Sequence, residues 1–129
     1  EVEDNAFGLL KTERGVNALF HVSWTNCRNI FSFEIFGDKG YLNIDGLGGN
    51  YGVESLEVGR RKPEGGRPDT ERLTYPENDT SWMLEWKEFR SAIQDRRQPV
   101  GNGEDGLKAN VAIEAIYESS RLNAPVRLP

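Results

Sequence analysis

The spacing of apolar residues changes period once along this chain, near residue 80, and no other feature of the sequence restricts its fold as much. Before that point the residues alternate. "VNALFHVSW" sets Val16, Ala18, Phe20, Val22 and Trp24 on one side and Asn17, Leu19, His21 and Ser23 on the other, which is the period of a β-strand. "NAFGLLKT" precedes it across "ERG", so residues 5 to 24 read as a hairpin. "IFSFEIFG" and "GYLNIDG" flank a tight turn with glycine at both ends, a second hairpin. "YGVESLEVG" and "ERLTYP" bracket "RRKPEGGRPD", a third with a long polar loop. From Thr80 to about Arg97 the apolar residues fall instead at Trp82, Trp86, Phe89 and Ile93, one face of a helix, with Asp79 or Thr80 as its N-cap. A second helix is predicted from about Glu104 to Leu122, with Ala109, Ala112, Ile113, Ile116, Tyr117 and Ser120 on one face and a stop at Asn123 before Pro125. Strands first and helices after predict an α+β domain: an antiparallel open-faced sheet of about six strands with two C-terminal helices packed on one face. Along "IFSFEIF", Phe31, Phe33 and Ile35 point one way and Ile30, Ser32, Glu34 and Phe36 the other, so both sides of the sheet are expected to carry apolar groups. Two helices cover one side, and the bare one calls for a partner chain or a further domain.

At 129 residues the chain is the size of one domain, 1–129. Its net charge of -5 argues against a large phosphate-binding face and hence against nucleic acid as a partner. One cysteine, Cys27, and one histidine, His21, supply neither an internal disulfide nor a spaced zinc set, so no metal site is expected. The single thiol suits a reducing cytoplasm. No apolar run reaches the roughly 20 residues of a membrane span, and "EVEDNAF" is acidic where a signal peptide is basic.

"GLGGNYG", residues 46 to 52, is the most suggestive short stretch, because glycine-rich turns after strands can cradle phosphates. The dinucleotide fingerprint places its third glycine at the start of a helix. Here Tyr51 stands at that position and a strand pattern follows, and the Gly-Lys-Ser/Thr ending of a P-loop is missing too. The stretch is a strand connection, not a nucleotide loop. His21 lies in mid-strand with no neighbouring partner to make it a general base. Cys27 has no second histidine to activate it. Glu34 interrupts an apolar strand, and a carboxylate buried there would need a partner. Arg60, Arg61, Lys62 and Arg67 form a basic tip without interleaved aromatic residues, a solvated loop. No catalytic constellation emerges from the residues.

"FEIFGDKGYLNIDG", Phe33 to Gly46, resembles the C-terminal domain of the glucose-fructose oxidoreductase and inositol dehydrogenase (Gfo/Idh/MocA) family. Glu34, Gly37, Gly40, Leu42 and Gly46 match that family's strand–turn–strand pattern. The tail "DGLKANVAIEAIYESSRLNAPVRLP", from Asp105 and Gly106 to Pro125 and Val126, matches its last helix and ending. The resemblance implies a two-domain oxidoreductase in which a Rossmann domain binds NAD or NADP. The present sheet domain borders the cleft for a small-molecule substrate, a sugar, polyol or related compound, and often forms the dimer. It further implies that the fingerprint glycines, the Glu-Lys-Pro lysine and the acid/base pair all precede this stretch, leaving no catalytic or cofactor-binding residues within it. By position in the family, Arg28 and Asn29 border the cleft, with Trp24, Asn50 and Tyr51 behind them. The competing reading is a stand-alone α+β module that binds a small ligand or another protein.

Overall fold

A computed structural model describes residues 2–128. The element order is β1 (Asn5–Lys11), β2 (Asn17–Ser23), β3 (Ser32–Gly37), β4 (Gly40–Asp45), β5 (Glu54–Arg60), β6 (Asp69–Tyr75), α1 (Ser81–Gln94) and α2 (Gly103–Leu122). This is the α+β fold the change of period predicts: six antiparallel strands followed by two helices. The strands fall into two sheets, β1-β2 and β3-β4-β5-β6, which corrects the expectation of a single sheet of about six strands. The chain divides into two compact units, one formed by Glu1–Trp24 with Met83–Pro129 and the other by Thr25–Trp82.

The four-stranded sheet is a meander whose register sorts side chains by chemistry. Phe33, Ile44, Leu56 and Leu73 lie in one row across the strands and Ile35, Leu42, Val58 and Glu71 in the next, so the middle of one face is largely aliphatic and aromatic, with Arg60, Asp69 and Glu71 charged at its β5–β6 side. The opposite face has the rows Phe36, Tyr41, Gly59 and Thr70; Glu34, Asn43, Glu57 and Arg72; and Ser32, Asp45, Ser55 and Thr74. It is polar and bonded within itself. Tyr41 Oη donates to Glu57 Oε1 at 2.7 Å, Asn43 Nδ2 to Asp45 Oδ2 at 3.1 Å, and Arg72 Nη2 to Ser55 Oγ at 3.1 Å. The expectation of two apolar faces is therefore corrected for this sheet. Ile30 precedes the strand, which starts at Ser32, and only Phe36 carries an apolar group onto the polar side. Glu34 is exposed on that side, so the buried carboxylate suggested by the sequence is not observed.

Two glycines are set by close backbone approach. Gly40 closes the two-residue turn after Gly37 with φ 153, where a Cβ would run into the carbonyl oxygen of Gly59. Gly46, with φ 82, lies so near β5 that a Cβ would come within 2.7 Å of the Val53 oxygen.

In the other unit, β1 and β2 form the expected hairpin, and Trp24 N donates to Asp4 O at 2.8 Å just beyond its end. Helix α1 starts where Asp79 Oδ1 accepts from Ser81 N at 2.9 Å, one of the two predicted caps. It ends at Gln94, short of the predicted Arg97, because Arg96 turns left-handed (φ 52) and Arg97 N returns to Ala92 O at 3.0 Å. Helix α2 opens with a reciprocal cap: Asn102 Oδ1 accepts from Glu104 N at 2.8 Å, and Asp105 Oδ2 accepts from Asn102 N at 3.2 Å. It stops at the left-handed Asn123, as the sequence predicts. Tyr117 Oη donates to Glu3, and Arg127 Nη2 reaches Glu13 Oε1 at 2.6 Å. Among the described residues Ala92 is the one buried apolar side chain, 2% exposed.

Candidate functional site

The link before β3, the loop between β4 and β5 and the segment after β6 all lie at one end of the four-stranded meander, as its antiparallel order requires. Four of the five residues singled out from the sequence lie on these segments. Asn29 Nδ2 donates to Asn50 O at 3.2 Å and so ties the link to the glycine loop. Tyr51 follows Asn50 on that loop, 41% exposed, and its amide donates back to Leu47 O at 3.3 Å. Arg28 sits beside Asn29, exposed. Trp24, 91% exposed, belongs to the other unit.

The loop owes its path to glycine. Gly46, Gly48, Gly49 and Gly52 all have positive φ, which side-chain-bearing residues adopt at a cost. Gly46 N donates to Phe31 O at 3.2 Å, fastening the start of the loop to the same link. Gly48 N donates to Glu54 Oε1 at 2.7 Å. That bond bears on the phosphate question, because the backbone amide an anion would need is already held by a carboxylate of the same chain. One amide of the loop is thus closed to a phosphate.

Sequence reasoning passed over two carboxylates at this end. Glu54 opens β5, and its signal was its position directly behind a glycine-rich turn. Asp79 was read only as a helix cap. Its Oδ2 lies 3.4 Å from where a Cβ on Gly48 would stand. The Ser81 amide, and then the Ser81 hydroxyl, hold the Asp79 carboxyl below its usual range. Around the glycine loop the end of the sheet thus gathers the amide of Asn29 and the carboxylates of Glu54 and Asp79, groups that hydrogen-bond and form no nucleophile–base pair.

The remaining candidates take structural roles. His21 stacks on its cross-strand partner Phe7 with ring centroids 4.3 Å apart and an interplanar angle of 5°. Cys27 is an exposed thiol. The basic tip is partly neutralised, Arg60 by Glu71 at 3.3 Å and Lys62 by Asp69 at 2.8 Å. No helix among the described residues is long and apolar enough to cross a membrane.

Comparison with known proteins gives one match. A family model described as "Oxidoreductase family, C-terminal alpha/beta domain" covers residues 1–128. No curated protein and no solved structure matches the chain.

Proposed function

Because the chain belongs to the Gfo/Idh/MocA oxidoreductase family as its C-terminal alpha/beta domain, we propose that it is the substrate-bordering and oligomerisation domain of a cytoplasmic, NAD(P)-dependent enzyme acting on a sugar, polyol or related compound. The N-terminal domain that such a family member carries holds the NAD or NADP and the groups that move hydride and proton. Residues 1–129 act as one domain beside it. Arg28, Asn29, Asn50 and Tyr51 contact the substrate, with Trp24 at the edge of the cleft, and the chain pairs as a homodimer through its open sheet.

The observation that carries this reading is the Asn29–Asn50 hydrogen bond. It joins two segments 21 positions apart at one end of the sheet, next to the exposed Arg28 and Tyr51, which supports reading that end as the border of the cleft. In the full-length enzyme Asn29→Ala and Tyr51→Ala are each expected to raise KM for the polyol about tenfold, the loss of one hydrogen bond or ring contact, with little change in KM for the cofactor. Unchanged KM in both variants would remove this end of the sheet from the substrate cleft.

A further inference from the structure

The basic tip between β5 and β6 plays no part in the reading above, and its charges are not equivalent. Arg60 and Lys62 are engaged by Glu71 and Asp69, at 3.3 and 2.8 Å. Arg61, between them, is exposed, and among the described residues its guanidinium has no hydrogen bond or ion pair. Its backbone alone is tied, N donating to Lys39 O at 2.9 Å. The guanidinium lines a cleft of about 220 Å³ together with Phe36, Tyr41, Gly66, Pro68 and the two glycines of the β3–β4 turn. Antiparallel order puts that turn and the β5–β6 loop at the end of the meander opposite the glycine loop. Strands of six or seven residues set the two ends roughly 20 Å apart.

The ring of Tyr41 is held in place, lying over Gly59 while its hydroxyl donates to Glu57 Oε1 at 2.7 Å. Phe36 stands beside it, ring centroids 6.1 Å apart and planes tilted by 37°. Gly66, with φ 89, turns the loop, and a Cβ there would meet nothing within 4 Å. Two aromatic rings and a proline offer apolar surface to a flat body. A single guanidinium with its fork unused takes a carboxylate by two parallel hydrogen bonds. A phosphate needs several converging amides or cations, and the neighbouring Arg60 and Lys62 are already engaged. The Glu57 carboxylate at the Tyr41 hydroxyl repels an anion from that end, which leaves Arg61 to receive it. A cavity of roughly 150 Å³ accommodates benzene. The present cleft has room for one ring with its carboxylate and none for a second ring.

We propose that this cleft binds a small planar carboxylate, with the ring against Phe36 and Tyr41 and the carboxylate on Arg61. The site is separate from the substrate-bordering end of the sheet and does not depend on that reading. The probe is benzoate, titrated into the full-length protein and followed by saturation-transfer NMR. An open cleft of this size is expected to give a Kd of about 1 mM. Benzamide keeps the ring without the charge and is expected to bind about tenfold more weakly. Cyclohexanecarboxylate keeps the charge without the flat ring and is expected to lose about threefold. Arg61→Gln is expected to weaken benzoate binding about tenfold, whereas Arg60→Gln, one position away, stays within about twofold of wild type. Phe36 is 74% exposed, so Phe36→Leu tests the ring contact without emptying a core and is expected to cost about threefold. Circular dichroism melts check folding. Three results each overturn the site: no saturable binding of benzoate up to about 20 mM, equal loss in the Arg60→Gln and Arg61→Gln variants, or benzoate binding untouched by Arg61→Gln. The first leaves the cleft without this ligand, the second reduces the effect to diffuse charge, and the third puts benzoate elsewhere on the protein.

Discussion

Glu88 shows how one side chain fixes a turn. Its carboxylate accepts from Arg97 Nη1 at 2.5 Å and Nη2 at 2.8 Å, and from Val100 N at 3.1 Å, closing the connection from α1 toward α2. The Arg97 hydrogen bonds first, and then that from Val100 N, lower its pKa from 4.5 to about 2. A carboxylate depressed in the folded state contributes stability that is fully present above about 4.5 and is lost as the pH falls toward 2. Melting temperatures taken between pH 2 and 6 are expected to fall more steeply with acid for the wild type than for Glu88→Gln; parallel curves would show that the fork adds nothing. Nothing in the sequence pairs Glu88 with Arg97, nine positions away. The pairing depends on the left-handed turn at Arg96, which arginine rarely adopts. Arg96→Gly relieves that conformation and is expected to stabilise the unit by about 0.5–1 kcal/mol in chemical denaturation.

Among the elements, period alone reveals the six strands and two helices, because each buries or exposes side chains at a spacing set by backbone geometry. What period cannot reveal is where a strand begins, and that decided the character of its faces: starting β3 at Ser32 and not Ile30 turns an apolar side into a polar one. The helix starts divide similarly. Asp79 was legible as a cap, whereas the Asn102–Asp105 reciprocal cap lay in a glycine-flanked stretch with no apolar residue to announce a helix. Cross-strand contacts are equally silent. The ring of Tyr41 covers Gly59, its partner on β5, in the space a Cβ would occupy. Gly59→Ala is expected to push the ring aside, break the Tyr41–Glu57 bond and cost about 1–3 kcal/mol by urea titration. Loss of under about 0.3 kcal/mol would mean the ring moves freely. At the candidate site the glycine loop was visible in the sequence and its fastening was not, since Asn29 to Asn50 and Gly48 to Glu54 are contacts of the folded chain.

At the scale of the whole molecule, the family match over residues 1–128 and the closure of one glycine-loop amide by Glu54 lead to the same expectation. This chain without an N-terminal domain is expected to bind neither NAD(H) nor NADP(H) in calorimetry at millimolar cofactor, and saturable micromolar binding would place a dinucleotide site in the sheet domain itself. The division of the chain also sets an order of events during synthesis. The meander of residues 25–82 pairs only strands adjacent in sequence and is complete once Trp82 has left the ribosome. The unit built from the two ends of the chain has to wait, because Tyr117–Glu3 and Arg127–Glu13 each join residues 114 positions apart. At translation rates of about 5–20 residues per second the meander has a lead of roughly 2–9 s. Through that interval the β1–β2 hairpin, made first, waits without the helix and tail that complete its unit.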